Sequence, residues 1–150
     1  MKSLIASALL LLSVSSFAFD APECKDNKGS ILSNSVTELK NVMSSRANRP
    51  QVFVTGKITE IGKEDHSGLQ HQKFAIKVEN IKLQIVTNLE FGRIPLAIGK
   101  TISVCGEYIK AQGGMVHWTH FDPHGGHADG FSILDGKIYG DVETPLRNNH

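Results

Sequence analysis

The chain has 150 residues, with 16 Lys plus Arg against 15 Asp plus Glu, a formal net charge of +1, and 40% of its residues in the apolar set. That length suits one domain. The balanced charge excludes a strongly basic nucleic-acid footprint and an acidic solvating tail, and modest Gly and Pro content excludes collagen-like and disordered classes.

Residues 1–18 read as a secretory signal. Lys2 gives a short positive start, Leu4 to Val14 is apolar, and Ser16-Phe17-Ala18 has the small-x-small form of a cleavage site. The run is too short for a membrane span, and no later run approaches that length, so an exported protein is expected, periplasmic or secreted. Cys24 and Cys105 would then meet an oxidising compartment. A disulfide between them is the default expectation, with free thiols or a thiolate ligand as the alternatives.

Residues 19–50 form an N-terminal arm and helix. Ser35-Val36-Thr37-Glu38 has the capping-box form, and Val36, Leu39, Val42 and Met43 recur at helical spacing, which predicts a helix over 36–45. From Gln51 the period becomes two. Val52, Val54, Ile58 and Ile61 predict a long first strand bent at Gly56, and Phe74, Ile76 and Val78 predict a second. Leu83 and Ile85 lie in a third strand, Thr101 to Ile109 forms a fourth, and Met115 to Thr119 a fifth. Between the third and fourth, 88–99 is expected to be a connector. Asp135-Gly136 between Phe131-Ser132-Ile133-Leu134 and Lys137-Ile138-Tyr139 is a strong hairpin signal. The pattern predicts a mainly β fold: a small antiparallel OB-like barrel of five or six strands over 51–140, one short N-terminal helix before it, and a tail at 141–150.

Four of the seven histidines fall between His117 and His127. His117, His120, Asp122, His124 and His127 offer imidazole and carboxylate donors suited to a divalent metal, zinc first. Pro123 and Gly125-Gly126 allow the segment to fold back. Strict alternation would place His117 and His120 on opposite faces, so their convergence requires the strand to end near Thr119. The bland alternative is a sheet histidine and solvated loop histidines. His71, at the start of the second strand, should face outward, near Gln70, Gln72 and Lys73, which are candidates for a phosphate or sugar. Trp118 is the sole tryptophan and would either stack on a ring of a ligand or pack in the core.

These stretches resemble a bacterial domain-of-unknown-function family of small exported proteins. The resemblance rests on Gly68-Leu69-Gln70-His71-Gln72-Lys73-Phe74, on Gly106-Glu107-Tyr108, and on Gly113-Gly114-Met115-Val116-His117-Trp118-Thr119-His120-Phe121-Asp122-Pro123-His124-Gly125-Gly126-His127. It covers about Gln51 to Tyr139. Gln70 stands where the family pattern has Arg; if that Arg contacts an anion, this chain has lost the contact. The resemblance implies an OB-like barrel and a shared site around His71, His117, His120, Asp122 and His127, and it supplies no activity.

Two functions of different class fit. One is a metal-dependent hydrolase acting on phosphodiesters such as nucleic acid, with His71, His120 and Asp122 catalytic and His71 as base. The other is a binding module for an oligonucleotide, a glycan, a small molecule or a host partner. The geometric expectation is that His71, His120, Asp122 and His127 gather, while His117 points elsewhere.

Overall fold

A computed structural model describes residues 21–65, 68–110 and 113–140. The expected signal segment at 1–18 and the tail at 141–150 lie outside the described residues. Among the described residues, no helix is long and apolar enough to cross a membrane.

Helix α1 spans Val36–Ser44. Ser35 caps it as the sequence predicts, its Oγ accepting the Glu38 N–H at 3.1 Å. The reciprocal half of the box is displaced: Glu38 accepts the N–H of Ser33, two residues further back than the cap. Leu39 is buried on the barrel, with Val36, Val42 and Met43 packed around it.

Among the described residues seven strands follow: β1 Gln51–Ile61, β2 His71–Val78, β3 Ile81–Asn88, β4 Thr101–Ile109, β5 Met115–His117, β6 Phe131–Leu134 and β7 Lys137–Tyr139. The sheet order β1-β2-β3-β5-β4 closes through β1–β4 pairing, from Gln51↔Glu107 to Lys57↔Thr101. A barrel of five strands results, with β6 and β7 as an added hairpin on β4. All pairings are antiparallel except the short β3–β5 contact, Gln84↔Met115 and Ile85↔Val116. Such a closure leaves no free edge between β3 and β5. The fold is the OB-like barrel that the patterning predicts.

Alternation supplies the core. Phe74, Ile76, Val78, Leu83, Ile85, Ile102 and Val104 all point inward and are buried. Strand β1 bends by a bulge between Ile58 and Glu60 rather than at Gly56. Gly56 serves close approach instead, since a Cβ there would sit 2.8 Å from the Lys77 carbonyl oxygen. The hairpin turn has both central residues in the left-handed region, Asp135 at φ 52° and Gly136 at φ 72°, as a type I′ turn requires. A second, smaller core lies on the outer face of β1 and β4. There Cys24 and Cys105 form a disulfide with Cα atoms 5.7 Å apart, packed with Phe131, Leu32 and Phe53. It fastens the N-terminal arm to β4.

Candidate functional site

The starts of β1 and β2 and the ends of β3, β4 and β5 meet at one end of the barrel, by the pairings Gln51↔Glu107, His71↔Asn88 and Glu107↔His117. His71, Glu107 and His117 alternate with inward residues and so lie on the outer face. The fifth strand is shorter than the sequence predicts. It ends at His117 because Trp118 adopts φ 54°, outside the strand region. That break overrides the alternation that would have separated His117 from His120.

A chain of rings results. His71 and His117 meet edge to face with centroids 5.4 Å apart. His117 lies 4.7 Å from Trp118, and Trp118 lies 4.8 Å from His127 and 6.0 Å from His120. His120 and His127 are perpendicular at 4.8 Å. His120 also stacks on Phe91, 3.9 Å between centroids and 10° between planes. His117, expected to point elsewhere, instead links His71 to the rest of the cluster.

Two of these imidazoles are held in the same way. Nδ1 of His120 bonds the Phe121 carbonyl at 2.7 Å, and Nδ1 of His127 bonds the Ala128 carbonyl at 2.8 Å. A carbonyl only accepts, so each Nδ1 carries the proton and the neutral ring keeps a lone pair on Nε2. Burial holds the His120 ring below the ordinary histidine range, which favours that neutral form. Nε2 of His127 faces Oδ2 of Asp122 at 3.8 Å, with both side chains nearly buried.

Asp122 organises the loop. Its Oδ1 accepts the His124 N–H and its Oδ2 accepts those of Gly126 and His127. These bonds, led by that from His124, hold its carboxyl below the usual carboxylate range. Gly130 lets the loop pass tightly over β4, because a Cβ there would lie 2.2 Å from the Trp118 carbonyl oxygen and 2.7 Å from that of Cys105. His124 is exposed at the tip of the loop, away from the ring contacts.

At the other end of the chain of rings, Nδ1 of His71 faces Oδ2 of Asp65 at 3.5 Å, and Lys73 pairs with the same oxygen at 2.8 Å. The Lys73 hydrogen bond is the main cause that holds the Asp65 carboxyl low. His117 is pushed down to about 4, first by burial and then by repulsion from His71, His120, Arg49 and His127.

Gln72 does not share the surface of His71. It faces the barrel interior, where its amide exchanges two hydrogen bonds with Ile94, donating to the carbonyl at 3.0 Å and accepting the N–H at 2.8 Å. The period of two that turns His71 outward turns its neighbour inward, so Gln72 anchors the β3–β4 connector. Gln70 is exposed, with its backbone carbonyl accepting the Leu89 N–H. Among the described residues, no three His, Cys, Asp or Glu side chains already surround one point fit for a metal ion.

Sequence reading missed Arg49, Glu107, Phe91 and Asp65. Glu107 is a charged residue buried to 6% side-chain exposure, and its Oε2 lies 2.8 Å from Nε of Arg49. The Arg49 guanidinium lies 5.5 Å from the centroid of the Trp118 ring. Only the Gly-Glu-Tyr stretch hinted at Glu107, while Arg49-Pro50 reads in sequence merely as a helix stop.

The molecule is thus a closed OB-like barrel that carries an imidazole-rich cluster at one end. It belongs to the family described as Protein of unknown function (DUF3465), whose profile matches residues 27–140. No curated protein matches the chain.

Proposed function

We propose that this chain is an exported protein that binds a divalent transition-metal ion, zinc first, through Nε2 of His120 and His127 beside the Asp122 carboxylate. The carrying observation is the pair of backbone carbonyls that fix both Nδ1 protons. Metal-ligating histidines use that outer hydrogen bond to aim the bare nitrogen and raise its basicity. The 3.8 Å separation of the His127 Nε2 and the Asp122 Oδ2 supports a carboxylate ligand beside the imidazole. His117 and the exposed His124 are the nearest imidazoles in sequence to complete the coordination of zinc.

The test is zinc titration of the purified protein against a chromophoric competitor. His120→Gln and His127→Gln should each weaken zinc binding at least about tenfold, in line with loss of one ligand. Unaltered zinc affinity in both variants would defeat the reading.

A hydrolytic role is the second reading, and the Asp65–His71 pair favours it. Asp65 is positioned to hold the Nδ1 proton of His71, which leaves Nε2 to take a proton from water. That water oxygen would bond to the phosphorus of a phosphodiester, and the leaving alkoxide would depart with its electron pair. Phosphodiester cleavage that is abolished by chelator and reduced by His71→Gln would support it. Full zinc affinity with no cleavage would leave a binding module.

A further inference from the structure

We propose that Arg49, His117 and the indole N–H of Trp118 form a binding site for a tetrahedral oxyanion of the phosphate class. It shares the end of the barrel with the metal reading above and names the kind of group a ligand would present there. Arg49 and Trp118 belong to it alone while His117 is common to both readings, so phosphate binding measured with chelator present separates the two.

Backbone strain is the first observation. Among the described residues, four non-glycine residues have positive φ: Arg49, Glu79, Trp118 and Asp135. Glu79 and Asp135 sit in the tight β2–β3 and β6–β7 turns. Arg49, at φ 51°, and Trp118, at φ 54°, do not, and they touch each other. Arg49 also precedes Pro50, which restricts its backbone further. Such strain persists where the surrounding structure imposes it, and it gathers at ligand sites.

Hydrogen-bonding capacity is the second. Glu107 Oε2 faces Nε of Arg49 at 2.8 Å, and among the described residues no ion pair uses the two terminal NH2 groups of the fork. A guanidinium fork matches two oxygens of one oxyanion. Nε1 of Trp118 is a buried donor with no acceptor among the described residues. A buried unsatisfied donor calls for a missing partner. His117 sits against the same indole and can donate one more hydrogen bond.

Charge is the third. The Arg49 guanidinium brings its positive charge to 5.5 Å from the centroid of the Trp118 ring. Glu107 pairs by charge with Arg49 and Asp65 with Lys73 and His71, while Glu107 Oε2 and Asp65 Oδ1 make no hydrogen bond among the described residues.

Trp118 is the sole tryptophan, so one indole N–H resonance reports on the site. The purified protein is titrated with inorganic phosphate in the presence of chelator, at constant ionic strength, with dimethyl phosphate and acetate as parallel arms. A saturable shift of the indole resonance with phosphate, and a weaker one with acetate, is expected. Saturation by dimethyl phosphate would assign the site to a phosphodiester rather than to free phosphate. Arg49→Gln should weaken binding about tenfold or more, the loss expected for a charge-assisted pair. Because that change strands the Glu107 carboxylate, R49Q/E107Q is measured alongside, and it should bind as weakly while remaining folded. Lys57→Gln, exposed at the opposite end of the barrel, should bind phosphate normally. No saturable shift, or an equal one in R49Q/E107Q, overturns the proposal.

Discussion

Breaking the Cys24–Cys105 bridge should remove a large share of the stability of the fold without altering its core. The two cysteines are 81 positions apart. In the chain-entropy model, a loop of that length restricts the unfolded chain by roughly 4.5 kcal/mol at 25 °C. Both sulfurs are buried among Phe131, Leu32 and Phe53, so reduction leaves two thiols in the same space and creates no cavity. The loss therefore isolates the cross-link. For a domain of this size it corresponds to a fall in Tm of about 15 °C. Urea unfolding with and without a dithiol reductant measures it, and Cys24→Ser/Cys105→Ser checks it without reductant. The expected outcome is a lower midpoint, with an increased slope as the unlinked chain exposes more surface on unfolding. A loss under about 1 kcal/mol would refute the reasoning, because the arm would then contribute little to the cooperative unit.

Acid should destabilise the protein through His117, whose folded pKa of about 4 lies below its unfolded value of 6.5. The unfolded chain binds the extra proton between those values, so stability is lost as pH falls through that window, by about 2 kcal/mol after allowance for solvent screening. Urea midpoints at pH 7 and pH 4.5 should differ accordingly, and His117→Gln should flatten the dependence. Gly130→Ala should cost at least about 3 kcal/mol, because the added methyl meets two backbone carbonyls that cannot yield easily; a near-native Tm would show that the loop is looser than described. Gln72→Met removes both bonds to Ile94 and should cost about 2 kcal/mol, with faster hydrogen exchange at the Ile94 amide.

The sequence by itself determined the local elements and the facing of the strands. Ser35 specified the start of α1, Asp135-Gly136 specified the last hairpin, and the period of two from Val52 onward separated core from surface. These are short-range signals, set by capping bonds, turn dihedrals and alternation, and each is read within a few residues. The same alternation aims Gln72 inward, against its expected place as a ligand-binding residue beside His71. The density of histidines marked the site region. Tertiary structure alone decided which rings meet. Local pattern extends β5 to Thr119 and parts His117 from His120, whereas the folded chain ends that strand by turning Trp118 into the left-handed region. Phe91 reaches His120 from the β3–β4 connector, and Arg49 reaches Glu107 and Trp118 from the loop before β1. Those contacts depend on closing β1 onto β4 and β3 onto β5, pairings remote in sequence that no local periodicity encodes. The site is assembled by barrel closure, which brings five strand ends to one rim and leaves their side chains to find partners there.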